Sequence, residues 1–443
     1  MQNLPIPKLL LKMSPPVMLT LLIVSVYNVV DSYFVAQYSQ TGLAALSLVY
    51  PLQLLLTAFS TGTGTGVNIL ISRLDGTGQK DRIHDVVRTA LILGVFCGLV
   101  YLCAAFAGMG TYFAMNTRQA DVAQAGILYF RLVSLFAPVL FLEAVCTKML
   151  QAKGNMVLPM AGQVCGALSN IILDPILIFG LWGVPALGIT GAAIATVVGQ
   201  SISMVIVFGG VIHHFSLKKG QSSFWLCGQI LKESVAPILS QALGALYVVG
   251  LNLVLKSFSE DAVTVLGIYY KIQTFFFIPL MGLQQVILPI VSFNYGAGQY
   301  KRIQETLNWS LGISCVLMSL GTLIFLFFPE QLVGIFSHEP SILAIGPTAF
   351  RTISLNFIPA GITLMLSVYF QGINRSNDCI LAMVLRQVVL LVPLAWLFHF
   401  FGLEAVWLTF PVTEGIVAIV CLILYHRNRT ILVSRYLPAA VLS

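Results

Sequence analysis

Long apolar runs, separated by short polar segments, follow one another along the whole chain. A helix needs about 20 apolar residues to cross the ~30 Å hydrocarbon layer of a membrane, and twelve runs reach that length. Within each run the apolar residues are continuous rather than alternating, which predicts helices instead of barrel strands. The predicted spans lie near residues 14–36, 47–72, 88–110, 126–148, 157–180, 190–212, 233–255, 263–288, 306–328, 347–369, 379–401 and 405–426.

Composition supports a chain that lies almost entirely in the membrane. Of its 443 residues, 58% are hydrophobic and 9% are charged, whereas about 25% are charged in an ordinary soluble domain. No polar segment is long enough for a separate catalytic domain, and the sequence contains neither a GxxxxGK[ST] phosphate loop nor an HExxH zinc motif. The sequence therefore predicts an all-α polytopic membrane protein that is not an enzyme and has no cofactor or resident metal.

Basic residues lie mostly on one side of the predicted spans. With a cytoplasmic N-terminus, 18 of the 23 lysine and arginine residues fall on the cytoplasmic side, so both termini are predicted to be cytoplasmic. These charges are spread over seven short segments. Topology and anionic lipid therefore explain the net charge of +7, and we expect no nucleic-acid partner. The 18 residues are Lys8, Lys12, Arg73, Lys80, Arg82, Arg88, Lys148, Lys153, Lys218, Lys219, Lys232, Lys301, Arg302, Arg375, Arg386, Arg427, Arg429 and Arg435.

A sequence repeat divides the spans into two sets of six. The segment GTGQKDRI at residues 76–83 recurs as GAGQYKRI at residues 296–303, an offset of 220, and three shorter matches share this offset. Because six is an even number, the two halves have the same orientation. Such parallel repeats are typical of transporters with a substrate path between two bundles. We predict two six-helix lobes, at residues 1–217 and 218–443.

Four acidic residues lie inside predicted spans, where a charge costs at least about 2.5–3.5 kcal/mol. They are Asp31, Glu143, Asp174 and Glu414. Asp31 and Asp174 both lie in the outer half of the bilayer, because spans 1 and 5 run in the same direction. Two desolvated carboxylates that face each other could hold one proton or one small cation between them, which is what an ion-coupled carrier requires.

Polar residues at helical spacing accompany both aspartates. These residues are Gln163, Gly166 and Asn170 on span 5, and Thr20, Tyr27 and Asn28 on span 1. A structural interpretation is also open, in which Asp174 is a local cap before Pro175 and Asp31 pairs with a nearby lysine or backbone group. The cost of burying ionisable groups favours a functional role for the pair.

The other charged residues inside predicted spans give weaker evidence for a functional site. No polar stripe passes through Glu143 on span 4, and Lys271 on span 8 could pair with Glu414 on span 12. For these three residues, structural pairing and a role in transport are both open. All six histidines fall in loops or at span ends, which disfavours a histidine proton relay or metal site.

Seven short motifs carry a resemblance to a known family. They are SPP at 14–16, YNVVD at 27–31, GLAA at 42–45, GTG at 76–78, QAKGN at 151–155, NIILDP at 170–175 and GITGAAIAT at 188–196. Together they resemble the multidrug and toxic compound extrusion (MATE) family, in its bacterial multidrug-efflux branch, from about residue 8 to residue 426. The resemblance implies two six-helix lobes, a central cavity, and efflux of amphipathic, often cationic drugs or dyes in exchange for H⁺ or Na⁺. It also implies a bacterial cytoplasmic membrane location, and we expect a monomer in the lipid bilayer.

The resemblance also implies a cation site in the N-terminal lobe. Carried over to this sequence, that site comprises Asp31, Asn170 and Asp174, with Thr196 as a looser match, and Na⁺ would be held there if it is the coupling ion. Another branch of the family places coupling acids in the C-terminal lobe, but here span 7 has Gln241 and span 10 has no acid. The substrate-binding residues we expect are Tyr27, Asn28, Asp31, Gln163 and Asp174.

Two other functions are open. A lipid-linked oligosaccharide flippase of the same superfamily would line its cavity with several arginine or lysine residues for pyrophosphate, whereas the predicted spans offer essentially Lys271. A receptor or assembly factor would need the acidic pair only for structure. No motif specifies the physiological substrate or distinguishes H⁺ from Na⁺.

Overall fold

The computed structural model describes residues 4–216 and 220–436, and in this part of the chain every regular element is a helix. The predicted all-helical class is therefore confirmed. The first half contains α1 (Ile6–Tyr38), α2 (Gln40–Gly76), α3 (Lys80–Asn116), α4 (Ala120–Leu135), α5 (Ala137–Ala152), α6 (Val157–Phe179) and α7 (Ile189–His214), with a 3₁₀ turn, Leu181–Gly183, between the last two.

The second half has the same order of long helices with more interruptions. It contains α8 (Phe224–Lys256), α9 (Glu260–Gly296), α10 (Tyr300–Phe327), α11 (Pro329–Gly334), α12 (Pro340–Ser354), α13 (Phe357–Gly372), α14 (Ser376–Val384), α15 (Leu391–His399), α16 (Leu403–Trp407) and α17 (Thr409–Tyr436). A π-helical turn, Leu385–Leu390, joins α14 to α15.

The helices account for all twelve predicted spans. Within the described residues, ten helices are long and apolar enough to cross a membrane, counting α14 with α15 and α16 with α17 as single spans. Two bent pairs complete the twelve, with α4 and α5 meeting at 50° and α12 and α13 at 45°. Several helices extend beyond the predicted apolar runs, because polar residues outside the hydrocarbon continue the same helix. The chain is thus a multi-pass helical membrane protein.

The predicted repeat is visible in the helix boundaries. Helices α2 and α9 each have 37 residues, and Ser39 and Ser259 cap their N-termini by accepting a backbone N–H bond at 3.2 and 3.1 Å. After each helix the chain turns at a glycine with positive φ, 74° at Gly78 and 67° at Gly298, where a side chain would be strained. The two halves therefore share backbone geometry as well as sequence.

The described chain forms two compact units. One comprises Pro15–Gln241, and the other comprises Ala242–Ser443 with Met1–Ser14, described here for residues 4–14 and 242–436. Helices α1 and α8 each contribute to both units. The predicted boundary after residue 217, with Lys218 and Lys219, lies outside the described residues, so the division into residues 1–217 and 218–443 stays a prediction. The side chain of Arg435 is likewise not described.

Glycines on α2 bring three helices into close contact. A Cβ at Gly64 would lie 2.8 Å from the carbonyl oxygen of Ala144 on α5, and one at Gly66 would lie 2.6 Å from that of Ile230 on α8. Since apolar lipid gives helices no hydrophobic reason to associate, close packing of small residues is what holds them together. The GTGTG segment of span 2 is therefore a packing surface.

Apolar clusters fill the space above and below the polar residues of the first unit. One cluster is centred on Val67, Val86, Met149 and Val207, and another on Val49, Phe113, Phe141 and Ile178, all almost fully buried. In the second unit the rings of Tyr269, Phe325, Phe350 and Phe357 pack with centroids 5.1 to 6.4 Å apart. These clusters fix the helices that carry the polar side chains.

The α6–α7 crossing positions two helices that carry candidate site residues. A Cβ at Gly166 would lie 2.6 Å from the carbonyl oxygen of Gly199, and a Cβ at Gly199 would lie equally close to that of Gly166. Backbone therefore touches backbone at this point. One turn beyond Gly166 lies Asn170, which faces Thr196 on α7.

We expect Gly199→Ala to destabilise the protein by about 1–3 kcal/mol, because the new methyl group meets a carbonyl that can yield only if the two helices separate. The measurement is the thermal unfolding midpoint of the purified protein in detergent. Gly209 on the same helix is the matched control, since a Cβ there has no heavy atom within 4 Å. An equal change of midpoint in Gly199→Ala and Gly209→Ala would contradict the proposed crossing.

Candidate functional site

The polar stripe predicted on span 5 forms one face of α6. Asp174 is fully buried and Asn170 is 2% exposed, while Gly166 on the same face contacts α7. The stripe thus points into the first unit, as the helical spacing predicted. Asp174 lies about one and a half turns before the end of α6 at Phe179.

An amide links Asp174 to α7. In the orientation that satisfies both of its polar atoms, Asn170 donates to Asp174 Oδ2 at 3.3 Å and accepts from the backbone N–H of Thr196 at 3.1 Å. The Thr196 hydroxyl donates to the carbonyl of Ala192 at 3.0 Å. Asn170 therefore contacts both Asp174 and Thr196, the other two of these residues of the predicted cation site.

Asp31 on α1 completes the cluster. Its carboxylate is close enough to Asp174 for the two to repel each other, and it also interacts electrostatically with the hydroxyl groups of Tyr27 and Tyr129. Tyr129 is almost fully buried, accepts a hydrogen bond from Gln53 at 3.2 Å, and is hydrogen-bonded to Thr196. Helices α1, α2, α4, α6 and α7 therefore meet around one acidic pair.

Both carboxylates have an oxygen that the protein does not satisfy. Oδ1 of Asp31 and Oδ1 of Asp174 are buried without a hydrogen-bond partner among the described residues. A buried acceptor without a donor is costly, so the pair has the capacity to bind a proton or a hard cation that prefers oxygen ligands. In the described part of the chain, no group of three or more His, Cys, Asp or Glu side chains could hold a metal ion.

The structural interpretation of the two aspartates is not supported. Helix α6 continues through Pro175 to Phe179, so Asp174 lies inside the helix and does not cap it. No ion pair joins Asp31 or Asp174 to a basic side chain among the described residues. The pair is thus held by neutral groups on a packed scaffold.

Glu143 on α5 has a polar environment that the sequence analysis did not predict. It is 8% exposed and its Oε1 accepts hydrogen bonds from Thr147 and from Ser203 on α7, each at 3.0 Å. Gln163 on α6 also bonds to it, and Lys148 interacts with it electrostatically. The absence of a polar stripe on span 4 gave no sign of this environment, because Ser203 and Gln163 lie on neighbouring helices while α5 supplies Thr147 and Lys148.

The predicted substrate-binding residues fall into separate places. Tyr27 interacts electrostatically with Asp31, Asp174 and Glu143. Gln163 lies with Glu143, about 16 Å along α6 from Asp174. Asn28 is exposed, and its amide donates to the carbonyl of Val24 on its own helix at 2.9 Å, so the structure does not bring it to the pair.

The predicted Lys271–Glu414 pair is wrong. Glu414 on α17 forms its ion pair with Arg386, whose Nε lies 2.5 Å from Oε1, while the ammonium of Lys271 lies 5.8 Å from the ring centroid of Phe336. Arg386 was expected in a cytoplasmic segment but lies well inside the helix from Ser376 to His399. A single charge inside an apolar run is easily assigned to the nearest polar segment, which caused this error.

Several site residues escaped the sequence analysis. The group around Asp31 and Asp174 also includes Gln53 and Tyr129, and the group around Glu143 includes Thr147 and Ser203. Of these four residues, only Gln53 is indicated by the sequence, as an amide within an apolar span. Serine and threonine in a helix can bond to their own backbone, so their presence in a span does not point to a site. Gln241, which occupies the region of the other branch's acid, instead donates to the Thr61 hydroxyl at 2.9 Å.

A family model and several known proteins match nearly the whole chain. The MatE family model matches residues 16–176 and again 236–397, the two segments lying at the offset of the internal repeat. An FAD transporter of Shewanella oneidensis is 26% identical over 440 residues, covering 96% of this chain and 95% of its own. The multidrug export protein MepA of Staphylococcus aureus is 22% identical over 433 residues, covering 96% and 94%. A crystal structure of MATE in the bent conformation superposes with a TM-score of 0.91 at 22% identity, covering 97% of both chains.

The Glu143 group yields a stability test. We expect Glu143→Leu to lower the thermal unfolding midpoint, because it leaves the buried hydroxyl donors of Thr147 and Ser203 without their acceptor, at about 1–3 kcal/mol for each donor that finds no other partner. Glu143→Gln is the control, since its amide oxygen still accepts from them. If Glu143→Leu kept the wild-type midpoint in detergent, the proposed hydrogen-bond network would be excluded.

Proposed function

The chain belongs to the MatE family, whose members are transporters and not enzymes, and on this basis we propose that it is a secondary active multidrug exporter. It exchanges amphipathic, often cationic compounds for H⁺ or Na⁺. The observation that carries the proposal is the pair of carboxylates at Asp31 and Asp174, each with one buried oxygen that no described residue satisfies.

Competition for the acidic pair gives a mechanism for exchange. With Asp31 and Asp174 ionised, their charges attract a cationic substrate that arrives from the cytoplasm. A proton or Na⁺ that enters from outside neutralises the pair and removes this attraction, so the substrate leaves. An ordinary aspartic acid has a pKa near 3.9 and is rarely protonated at neutral pH, so the proton version depends on the loss of water around the pair.

The neutral surroundings of the pair support this mechanism. Asn170 and Thr196 hold Asp174 in place through an amide, and Tyr129 is held by Gln53 beside Asp31. A permanent counter-ion such as a lysine would neutralise the carboxylates and leave nothing for a second cation to displace. Carboxylate, amide and hydroxyl oxygens together also form a donor set that suits a hard cation.

Two relatives support different substrate classes. The similarity to MepA, a multidrug export protein, supports export of several unrelated compounds. The similarity to an FAD transporter supports aromatic compounds that carry phosphate. We place this protein in the bacterial cytoplasmic membrane as a monomer with cytoplasmic termini, in keeping with its bacterial relatives and the distribution of its basic residues.

The lipid-linked oligosaccharide flippase has less support. A pyrophosphate needs several basic groups around it. Among the described residues, the structure adds to Lys271 one further basic residue deep inside a span, Arg386, and two separate basic side chains do not surround a pyrophosphate. Neither residue belongs to the unit that holds the acidic pair.

We expect the purified protein in inverted vesicles to accumulate a fluorescent cationic dye when either a pH gradient or a Na⁺ gradient is imposed alone, and the effective gradient identifies the coupling ion. Asp31→Asn and Asp174→Asn should reduce accumulation to background, because an amide can neither take up a proton nor attract the dye by charge. Asp121→Asn, at an exposed acid on the first turn of α4, is the matched control.

Size-exclusion profiles in detergent establish that each variant is folded. Normal coupled accumulation by both folded Asn variants would overturn the role of the acidic pair. No accumulation with either gradient by the wild-type protein would instead favour the flippase, which would next be assayed with lipid-linked oligosaccharides.

A further inference from the structure

Arg386 lies in the middle of a membrane span, where a positive charge is energetically costly and usually has a function. It lies about 15 Å along the helix that begins at Ser376, and that helix ends at His399. Its only ion pair to a described residue is with Glu414 on α17, which is itself 3% exposed. The acidic pair at Asp31 and Asp174 lies in the other unit, so the mechanism proposed above does not use this group.

The ion pair uses only one edge of the guanidinium group. Nε of Arg386 donates to Oε1 of Glu414, and neither terminal amino group has a hydrogen bond to a described residue. The Arg386 side chain is still 20% exposed, so these amino groups are not sealed in the core. Arginine presents five N–H donors in a planar fork, and its two terminal amino groups match the oxygens of a carboxylate or phosphate.

Arg386 lies in an irregular turn of its helix. Leu385–Leu390 form a π-helical turn, in which the N–H of Leu391 bonds to the carbonyl of Arg386. Pro393 follows and has no N–H to offer the carbonyl of Val389, so the wider turn accommodates a missing bond. Single π turns within α-helices occur frequently at functional sites.

Two tyrosines interact electrostatically with the guanidinium. The rings of Tyr247 on α8 and Tyr270 on α9 meet edge to face with centroids 6.5 Å apart, and both interact electrostatically with Arg386. Oε2 of Glu414 is buried without a hydrogen-bond partner among the described residues. Helices from four parts of the second unit thus bring hydroxyl, guanidinium and carboxylate groups to one place.

We propose that the free edge of Arg386 is a binding site for an oxyanion of the transported compound, a phosphate or carboxylate group, with Glu414 holding the guanidinium plane; this inference rests on the transport function proposed above. Tyr247 and Tyr270 supply hydroxyl donors and an aromatic surface for the rest of the molecule. Because Glu414 already neutralises Arg386, an added anion leaves the group with a net negative charge, so its affinity is held low. Weak binding suits a carrier that must release what it binds.

The two halves of the ion pair have opposite effects on this site. Arg386→Gln removes the donors and should abolish the preference for an oxyanion. Glu414→Gln removes the competing charge, keeps the shape, and should strengthen oxyanion binding. A purely structural ion pair predicts a loss of stability in both variants and a gain of affinity in neither.

The test compares two flavins that differ by one phosphate monoester, FMN and riboflavin, with the full-length protein purified in neutral detergent. Dissociation constants come from equilibrium dialysis without any ion gradient, so the outcome does not depend on the coupling mechanism. We expect FMN to bind at least about tenfold more tightly than riboflavin to the wild type, equal binding in Arg386→Gln, and a larger FMN preference in Glu414→Gln.

Arg351→Gln is the matched control, because Arg351 forms an exposed ion pair with Glu330 in the same unit and should not change the FMN preference. If Arg386→Gln does not fold, the double variant Arg386→Gln/Glu414→Gln replaces it, since no unpaired charge is then buried. Equal affinities for FMN and riboflavin in the wild type, or no binding of either, would overturn the proposal, as would an unchanged FMN preference in Arg386→Gln.

A second arm identifies the source of the oxyanion. Short-chain phosphatidylglycerol and the zwitterionic phosphatidylcholine of equal length are each added with bound FMN. If neither lipid displaces FMN, the oxyanion belongs to the transported solute, as proposed. Displacement by phosphatidylglycerol alone would assign the site to an anionic lipid headgroup and overturn the assignment to the transported compound.

Discussion

Hydrocarbon offers no hydrogen-bond partner, so polar groups inside the membrane need partners within the protein. The backbone satisfies itself within helices, so the remaining polar side chains must find partners on neighbouring helices or face one another. Asn170, Thr196, Tyr129 and Gln53 do so almost completely. Asp31 and Asp174 each keep one buried carboxylate oxygen without a hydrogen-bond partner among the described residues. Their cost is what makes a proton or cation at this place energetically useful.

Close packing of small residues holds the helices that carry these polar side chains in fixed positions. The backbone contact between Gly166 and Gly199 fixes α6 against α7, and Gly64 does the same for α2 against α5. Helices in lipid are not pushed together by the hydrophobic effect, so a crossing that depends on glycine cannot be replaced by larger apolar side chains. Asn170 and Thr196 lie one turn from such a crossing, and their contact depends on it.

The sequence predicts features that follow from residue spacing along one helix, but it does not predict side-chain pairs between neighbouring helices. Twelve spans, the repeat and the face formed by Gly166, Asn170 and Asp174 all follow from spacing along the chain, and the structure agrees. Two of the four partners of Glu143 come from α6 and α7, and the partner of Glu414 comes from the helix that precedes α16. No periodicity within one helix encodes such pairs. The wrong pairing of Lys271 with Glu414 has this origin.

The two halves have the same order of long helices, but they carry different charged residues at equivalent positions. At the offset of 220, the positions of Asp31 and Asp174 correspond to Leu251 and Leu394, so the second half has no equivalent acidic pair. Arg386 in turn corresponds to Gly166, the glycine of the α6–α7 crossing. Duplication fixed the helices, and the polar residues diverged within them. One repeat therefore carries the acidic pair and the other the guanidinium, so the same order of helices holds two different charged groups.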